Sequence, residues 1–295
     1  MNKYFFVIKP GKDKHSALRA LCADALALGA QELAFASDFG CSALLCAACS
    51  LQDKHFEALK AECAQDQADL LSFDALPSLN KPGCIIMDMD MTSVTIEGID
   101  EIARELGVYE QVAALTSSAM HGKADFASSL QNRVALLRGG SAAVIETVKA
   151  RMFEMPGLEE LLTLLKAHGF KCAIASGGFH QLISVLEQKY QLDLVRANTL
   201  GVEHGLFTGR VEGPIIDAEG KRQALIELRG RFGIVKEQSI AMGDGANDLK
   251  MIGEAGFGLA YHAKPAVTAA APHALTYCDH RALALCLQFA AQYFD

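Results

Sequence analysis

No stretch of this 295-residue chain approaches the roughly 20 consecutive apolar residues that span a bilayer, which argues against a helical membrane protein. Positive charge is also scarce. The 27 Lys and Arg stand against 35 Asp and Glu, a formal net charge of −8, so a nucleic-acid backbone would find nothing broad to neutralise it. Tryptophan and low-complexity tracts are missing. What remains, 51% apolar and 21% charged, is the composition of an ordinary globular protein. The apolar run YFFVI gives way at once to Lys9-Pro10, too short for the core of a secretion signal, so a cytoplasmic protein is expected. Cysteine lacks a metal-binding context: Cys46-x-x-Cys49 has no second CxxC or His pair nearby, and on a strand its members face opposite sides. The nine cysteines are read as buried thiols, small hydrophobes in a reducing compartment.

The chain is long enough for two or three compact units. Residues 1–76 give a strand (KYFFVIK), an amphipathic helix closed by Gly29 and a hairpin across Asp38-Phe39-Gly40. A second helix (HFEALKAECAQ) and a last strand (ADLLSF) complete a βαββαβ order, that of ferredoxin-like domains. Pro77, Asn80, Lys81, Pro82 and Gly83 mark a linker. From 83 to 295 strands alternate with helices, which predicts an α/β fold with a doubly wound, mostly parallel sheet. After its first strand, CIIMD, the signal from Gly98 to about Lys149 is helical. Ile99, Ile102, Ala103 and Leu106 form an i, i+3, i+4, i+7 stripe, so a helical cap is expected at about 98–155.

Such sheets hold ligands beyond the carboxyl ends of their strands. Three strand ends carry polar residues: Asp88-Met89-Asp90, Ser176-Gly177-Gly178 and Gly243-Asp244-Gly245-Ala246-Asn247-Asp248. In CIIMDMDMT, strand alternation would turn Asp88 and Asp90 to one face and Met87, Met89 and Met91 to the other. Two anions so placed repel unless a cation or a shared proton relieves them. A Ser-Gly-Gly turn at a helix start offers a hydroxyl and amides to an anion, though such residues also make plain turns. Asp88, Asp244 and Asp248 are hard oxygen donors suited to Mg²⁺, and Lys221 a point charge for phosphate.

In order and spacing, Asp88-x-Asp90-x-Thr92, Ser176, Lys221 and Gly243-Asp244-x-x-x-Asp248 resemble the four motifs of the haloacid dehalogenase (HAD) superfamily over about residues 83–270. The resemblance implies an aspartyl-phosphate mechanism. Asp88 would be the nucleophile, and Asp90 the acid that protonates the leaving alcohol and then the base that activates water. Asp88, the backbone carbonyl of Asp90 and Asp244 would hold Mg²⁺, with Asp248 orienting the metal's water shell or Lys221. Thr92, Ser176, Gly177, Lys221 and Asn247 would bind phosphoryl oxygens. The insert is similar to the cap of phosphoserine phosphatases, where positions matching Glu97 and Arg133 grip the amino and carboxylate ends of the substrate. Those matching Met120 and Phe126 line the pocket. Hydrolysis of O-phospho-L-serine, the last step of serine biosynthesis, is therefore expected, with the small-molecule substrate as partner, no nucleic acid, no membrane and room for a homodimer.

The first 76 residues resemble an ACT-like regulatory or oligomerisation domain in element order alone; Gly11 follows its first strand. One departure concerns Met91, where the family has a small residue; alternation would turn it away from the acids, but it could reshape the cap hinge. His121, His180 and His262 lie near the motifs without a required acid–base role. Other readings are a phosphatase or phosphotransferase acting on another amino-alcohol phosphate such as phosphohomoserine, a non-catalytic amino-acid sensor, and a receiver-like switch phosphorylated on Asp88.

Overall fold

The computed structural model describes residues 4–12, 14–48, 51–121 and 126–294. The chain begins with β1 (Tyr4–Pro10), α1 (His15–Leu21), α2 (Ala23–Ala27), β2 (Gln31–Asp38), β3 (Cys41–Ala47), α3 (Asp53–Gln65) and β4 (Asp69–Phe73). The single helix expected before Gly29 is thus two short ones, broken at Cys22. The strands pair antiparallel in the order β2-β3-β1-β4. Phe39 and Gly40 both take positive φ, 52° and 78°, the backbone a two-residue hairpin demands. Alternation divides β1 cleanly. Phe5 and Val7 pack with Leu18, Phe56 and Leu59 of the helices, while Phe6 and Ile8 join the large core of the rest of the molecule.

The second sheet follows with β5 (Cys84–Met87), α4 (Gly98–Glu105), α5 (Tyr109–His121), α6 (Phe126–Ala135), α7 (Val144–Arg151), α8 (Leu158–Ala167) and β6 (Lys171–Phe179). Next come α9 (His180–Tyr190), β7 (Leu194–Glu203), β8 (Leu206–Glu212), α10 (Ala218–Phe232), β9 (Ser239–Gly243), α11 (Leu249–Glu254), β10 (Phe257–Tyr261), α12 (Pro265–Ala270), β11 (His273–Leu275) and α13 (His280–Phe294). Its order is β11-β10-β9-β5-β6-β7-β8, with parallel pairings except the β7–β8 hairpin. β5 lies between β9 and β6, with Met87 opposite Met242 and Ile174. Its short, wholly buried run CIIM is what a strand covered on both faces requires.

The inserted helices α4–α7 join the core through two chain segments that hold each other. Thr95 N–H donates to Phe153 O (2.9 Å) and Met155 N–H to Ser93 O (2.9 Å). On the far side, the turn after α6 rests on the β7–β8 hairpin through Gly139 N–H to Phe207 O and Phe207 N–H to Gly140 O, both 2.9 Å.

Candidate active site

Three segments meet at the carboxyl ends of β5, β6 and β9, as the sequence leads one to expect. Among the described residues one group of three metal-ligating side chains stands close together: ligand oxygens of Asp88, Asp244 and Asp248 lie within 4.8 Å of one another. Lys221 sits in the first turn of α10, whose start is capped by Asp217 accepting the amides of Glu219 and Gly220 at 2.9 Å. Its side chain is 0% exposed, not solvated, and its ammonium reaches Asp88 at 2.8 Å and Asp248 at 2.7 Å. Burial alone would lower the lysine pKa, but the two carboxylates hold it above its ordinary value.

Asp90 accepts the Gly98 N–H at 3.1 Å, at the start of the first cap helix. Desolvation, with Glu97 and Asp88 adding like charge, pushes its carboxyl well above the usual carboxylate range. Asp244 is pushed up to about 6 by burial and by the charges of Asp88 and Glu97. Burial also drives Asp248 upward while Lys221 pulls it back. Thr92 places its hydroxyl 3.4 Å from Asp244.

The second segment is a distorted stretch of β6 rather than a turn directly at a helix. Pairing with β7 is interrupted between Ala175 and Phe179, and α9 starts only at His180. The Gly178 N–H donates to Ser176 Oγ at 2.9 Å, which leaves the hydroxyl hydrogen free for an oxygen elsewhere. A Cβ on Gly177 would come within 2.7 Å of the Phe126 ring tip, so the cap rests directly on this segment and a larger residue there would have to push the ring aside. Arg133, half-buried on α6, interacts electrostatically with Asp100 and Glu97, and burial lowers its pKa. Glu97 keeps much of its surface open to solvent, yet partial desolvation by the surrounding protein pushes its carboxyl upward, Asp100 and Asp88 adding to the shift and Arg133 opposing it. Asn247 lies in the loop between β9 and α11, half-buried beside Gly245. The side chain of Met120 and the whole of Cys49 lie outside the described residues.

One expectation fails. Met87 and Met89 are buried behind the aspartates, but Met91 is not: it is 37% exposed. The strand ends at Met87, and the N–H groups of Thr92, Ser93 and Val94 all converge on the Met89 carbonyl at 3.3, 2.8 and 3.0 Å. That tight turn forces Met91 into the left-handed region, φ 53°, so strand alternation no longer governs where it points. It lines a cavity of about 330 Å³ together with Pro10, Gly40 and Cys41 of the first sheet, and Met155.

Two supporting residues escape a sequence reading. Asn198, 0% exposed on β7, donates to Gly177 O and accepts from Ile216 N–H, both at 2.8 Å, joining the Ser176–Gly178 segment to the approach to α10. An amide in the middle of the extended run LVRANTLG was its one signal. His280 bonds the Thr92 carbonyl from α13, and nothing in the sequence links positions 188 residues apart.

The sequence profile of the haloacid dehalogenase-like hydrolases matches residues 85–253. The chain belongs to that family. It is 43% identical over 221 residues to a phosphoserine phosphatase of Haemophilus influenzae, covering 75% of this chain and 70% of that one. The crystal structure of a probable phosphoserine phosphatase from Vibrio cholerae superposes with a TM-score of 0.84 at 33% identity, over 98% of this chain and 87% of its own. A solved phospho-aspartyl intermediate analogue of a phosphoserine phosphatase matches with a TM-score of 0.66 at 38% identity, over 70% of this chain and 99% of its own. The HAD match spans the three strand ends and Lys221, while the likeness to the Vibrio protein extends through the first sheet as well.

Proposed function

We propose that the chain hydrolyses O-phospho-L-serine to L-serine and phosphate through a phosphorylated Asp88. The observation that carries the reaction type is the Asp88–Lys221–Asp248 arrangement beside a carboxyl, Asp90, that desolvation and neighbouring carboxylates push upward. In this reading the Asp88 carboxylate attacks phosphorus while protonated Asp90 gives its proton to the leaving serine oxygen; Asp90 then takes a proton from the water that cleaves the acyl phosphate. Lys221, the Ser176 hydroxyl, the Gly177 amide, Thr92 and Asn247 neutralise and orient the phosphoryl oxygens. The oxygens of Asp88, Asp244 and Asp248 stand close enough to serve a hard divalent cation, which the Asp90 carbonyl would join as the family resemblance implies; Mg²⁺ bound there would offset charge on the phosphoryl group.

The substrate assignment rests on Glu97 and Arg133 in the cap, an anion for the ammonium and a bidentate cation for the carboxylate of phosphoserine. Phosphohomoserine, one methylene longer, is the competing substrate, and such a difference is worth about 1–3 kcal/mol. We place the first 76 residues in a separate ACT-like unit and the cap at about 98–155. A cytoplasmic location draws support from the eight described cysteines, all buried and free; a homodimer remains part of the proposal. Phosphate release from L-phosphoserine, phosphohomoserine and p-nitrophenyl phosphate, with Mg²⁺ and with EDTA, tests the whole. Metal-dependent preference for phosphoserine is expected; turnover of none would favour the sensor reading. Arg133→Ala should raise KM for phosphoserine by about 100-fold while sparing p-nitrophenyl phosphate. Equal damage to both substrates would remove Arg133 from carboxylate recognition.

A further inference from the structure

The first sheet meets the rest of the molecule through the apolar packing of Phe6 and Ile8 and, at a polar point beside it, through one buried acid. Asp69, 4% exposed, opens the edge strand β4 and accepts three successive backbone amides from the loop between β11 and α13: Thr276 at 2.8 Å, Tyr277 at 3.1 Å and Cys278 at 2.8 Å. Charge-assisted bonds to three amides fix that loop firmly to the sheet. Two residues on stands His280, 0% exposed, whose Nε2 lies 2.7 Å from the Thr92 carbonyl. A carbonyl only accepts, so Nε2 carries the hydrogen, and Nδ1, which has no partner, is the bare nitrogen. The ring lies flat on Tyr261 at 4.2 Å and 3°, a stack that favours this orientation. The His280 N–H bonds Pro156 O at 3.3 Å, and a Cβ on neighbouring Gly157 would stand 2.6 Å from the Arg281 backbone nitrogen. One imidazole therefore sits where the catalytic loop, the return from the cap and the first sheet meet.

We propose that His280 is a positioning residue for the Asp88–Thr92 loop and that Asp69 sets its place, so that the first sheet braces the active site mechanically. The inference rests on the reading of that loop as catalytic. Ser93 Oγ donates to Asp88 O at 2.5 Å and the loop folds onto the Met89 carbonyl, so the loop is held from outside at both ends by buried side chains, Lys221 at the Asp88 carboxylate and His280 at the Thr92 backbone. Freed of that bond, Thr92 would shift relative to Asp244, and Asp90 with it.

The test uses the full chain and four variants: His280→Gln, His280→Leu, Asp69→Asn and Asp69→Asn with His280→Leu. A misplacement on the order of 1 Å can cost about 100-fold in rate. His280→Leu should thus lower kcat by about 30- to 100-fold on both phosphoserine and p-nitrophenyl phosphate, and His280→Gln, whose amide nitrogen can still donate at the Nε2 position, should recover to within about 5-fold. Asp69→Asn alone should cost about 10-fold, and the double variant should be no worse than His280→Leu, because the two act in series. Hydrogen exchange read across residues 88–97 should quicken about 10-fold in Asp69→Asn while β9 stays protected. Additive losses, a Gln variant as impaired as Leu, or unchanged exchange at 88–97 would overturn the brace. If the unmodified chain turns over neither substrate, the phosphatase reading falls, and the exchange of Asp69→Asn, the mildest change, still decides the brace.

Discussion

Acids withdrawn from water occur in two places in the molecule, and they behave differently. At the rim of the large sheet, Asp88, Asp90, Asp244 and Asp248 crowd around one lysine, and three of the four carboxyls are pushed upward. At the joint between the sheets, Asp69 stands among three amides that use both of its oxygens. Desolvation raises Asp69 too, but the amides oppose it, whereas at the rim neighbouring carboxylates add to the shift. Burial by itself therefore says little about function. An acid whose surroundings answer its charge is a fastener; acids that worsen one another's position are kept for a ligand.

The strongest way to break the comparison is Asp88→Asn. Turnover should fall by about 10⁴-fold or more with loss of the nucleophile, while the unfolding midpoint stays level or rises because crowding at the rim is relieved. A variant with full turnover would end the nucleophile assignment. Asp90→Asn should cost about 10²–10⁴-fold on phosphoserine but distinctly less on p-nitrophenyl phosphate, whose leaving group needs no proton to depart. Equal losses would argue against leaving-group protonation. Asn198→Asp keeps the acceptor for Ile216 but sets a carboxylate against the Gly177 carbonyl. Inhibition by inorganic phosphate should weaken about 10-fold on both substrates, and an unchanged inhibition constant would make Asn198 a packing residue.

The smallest effect concerns pH. Burial lowers His273 and His280 to about 4. Between the ordinary histidine value of about 6.5 and that lower value the unfolded chain binds more protons, so these groups make the fold lose stability as pH drops. Raised Asp90 and Asp244 act in the opposite sense, so the quantity to measure is a difference. The urea midpoint of His273→Gln should fall less than that of the unmodified chain between pH 7 and pH 5. Parallel curves would mean that His273 is not held neutral.

The rim was legible because strand ends are a rule of α/β sheets and because four short motifs occur in order along one chain. β1 to β4 were legible too, since alternation and turn residues are local signals. Legibility stopped where geometry is set by distant partners. Met91 looked like one more strand residue, yet three amides converging on Met89 end the strand before it. β11, three residues long, and the buried helix α13, apolar nearly all round, carry no clear period of their own. Their roles depend on Asp69 and Thr92, more than 180 residues away. Asn198 is intermediate: an amide inside an extended run hints at a buried bond, but not at its two recipients.

The ring of Phe126 over Gly177 has a consequence for timing. With the ring tip resting where a methyl group on Gly177 would collide, the cap is already in contact with the core beside the proposed site, so on that reading the cap must lift for serine and phosphate to leave. In the proposed cycle a contact that shuts water away from a phosphorylated Asp88 would also set how quickly each cycle clears, and a cap that sealed more tightly would slow turnover.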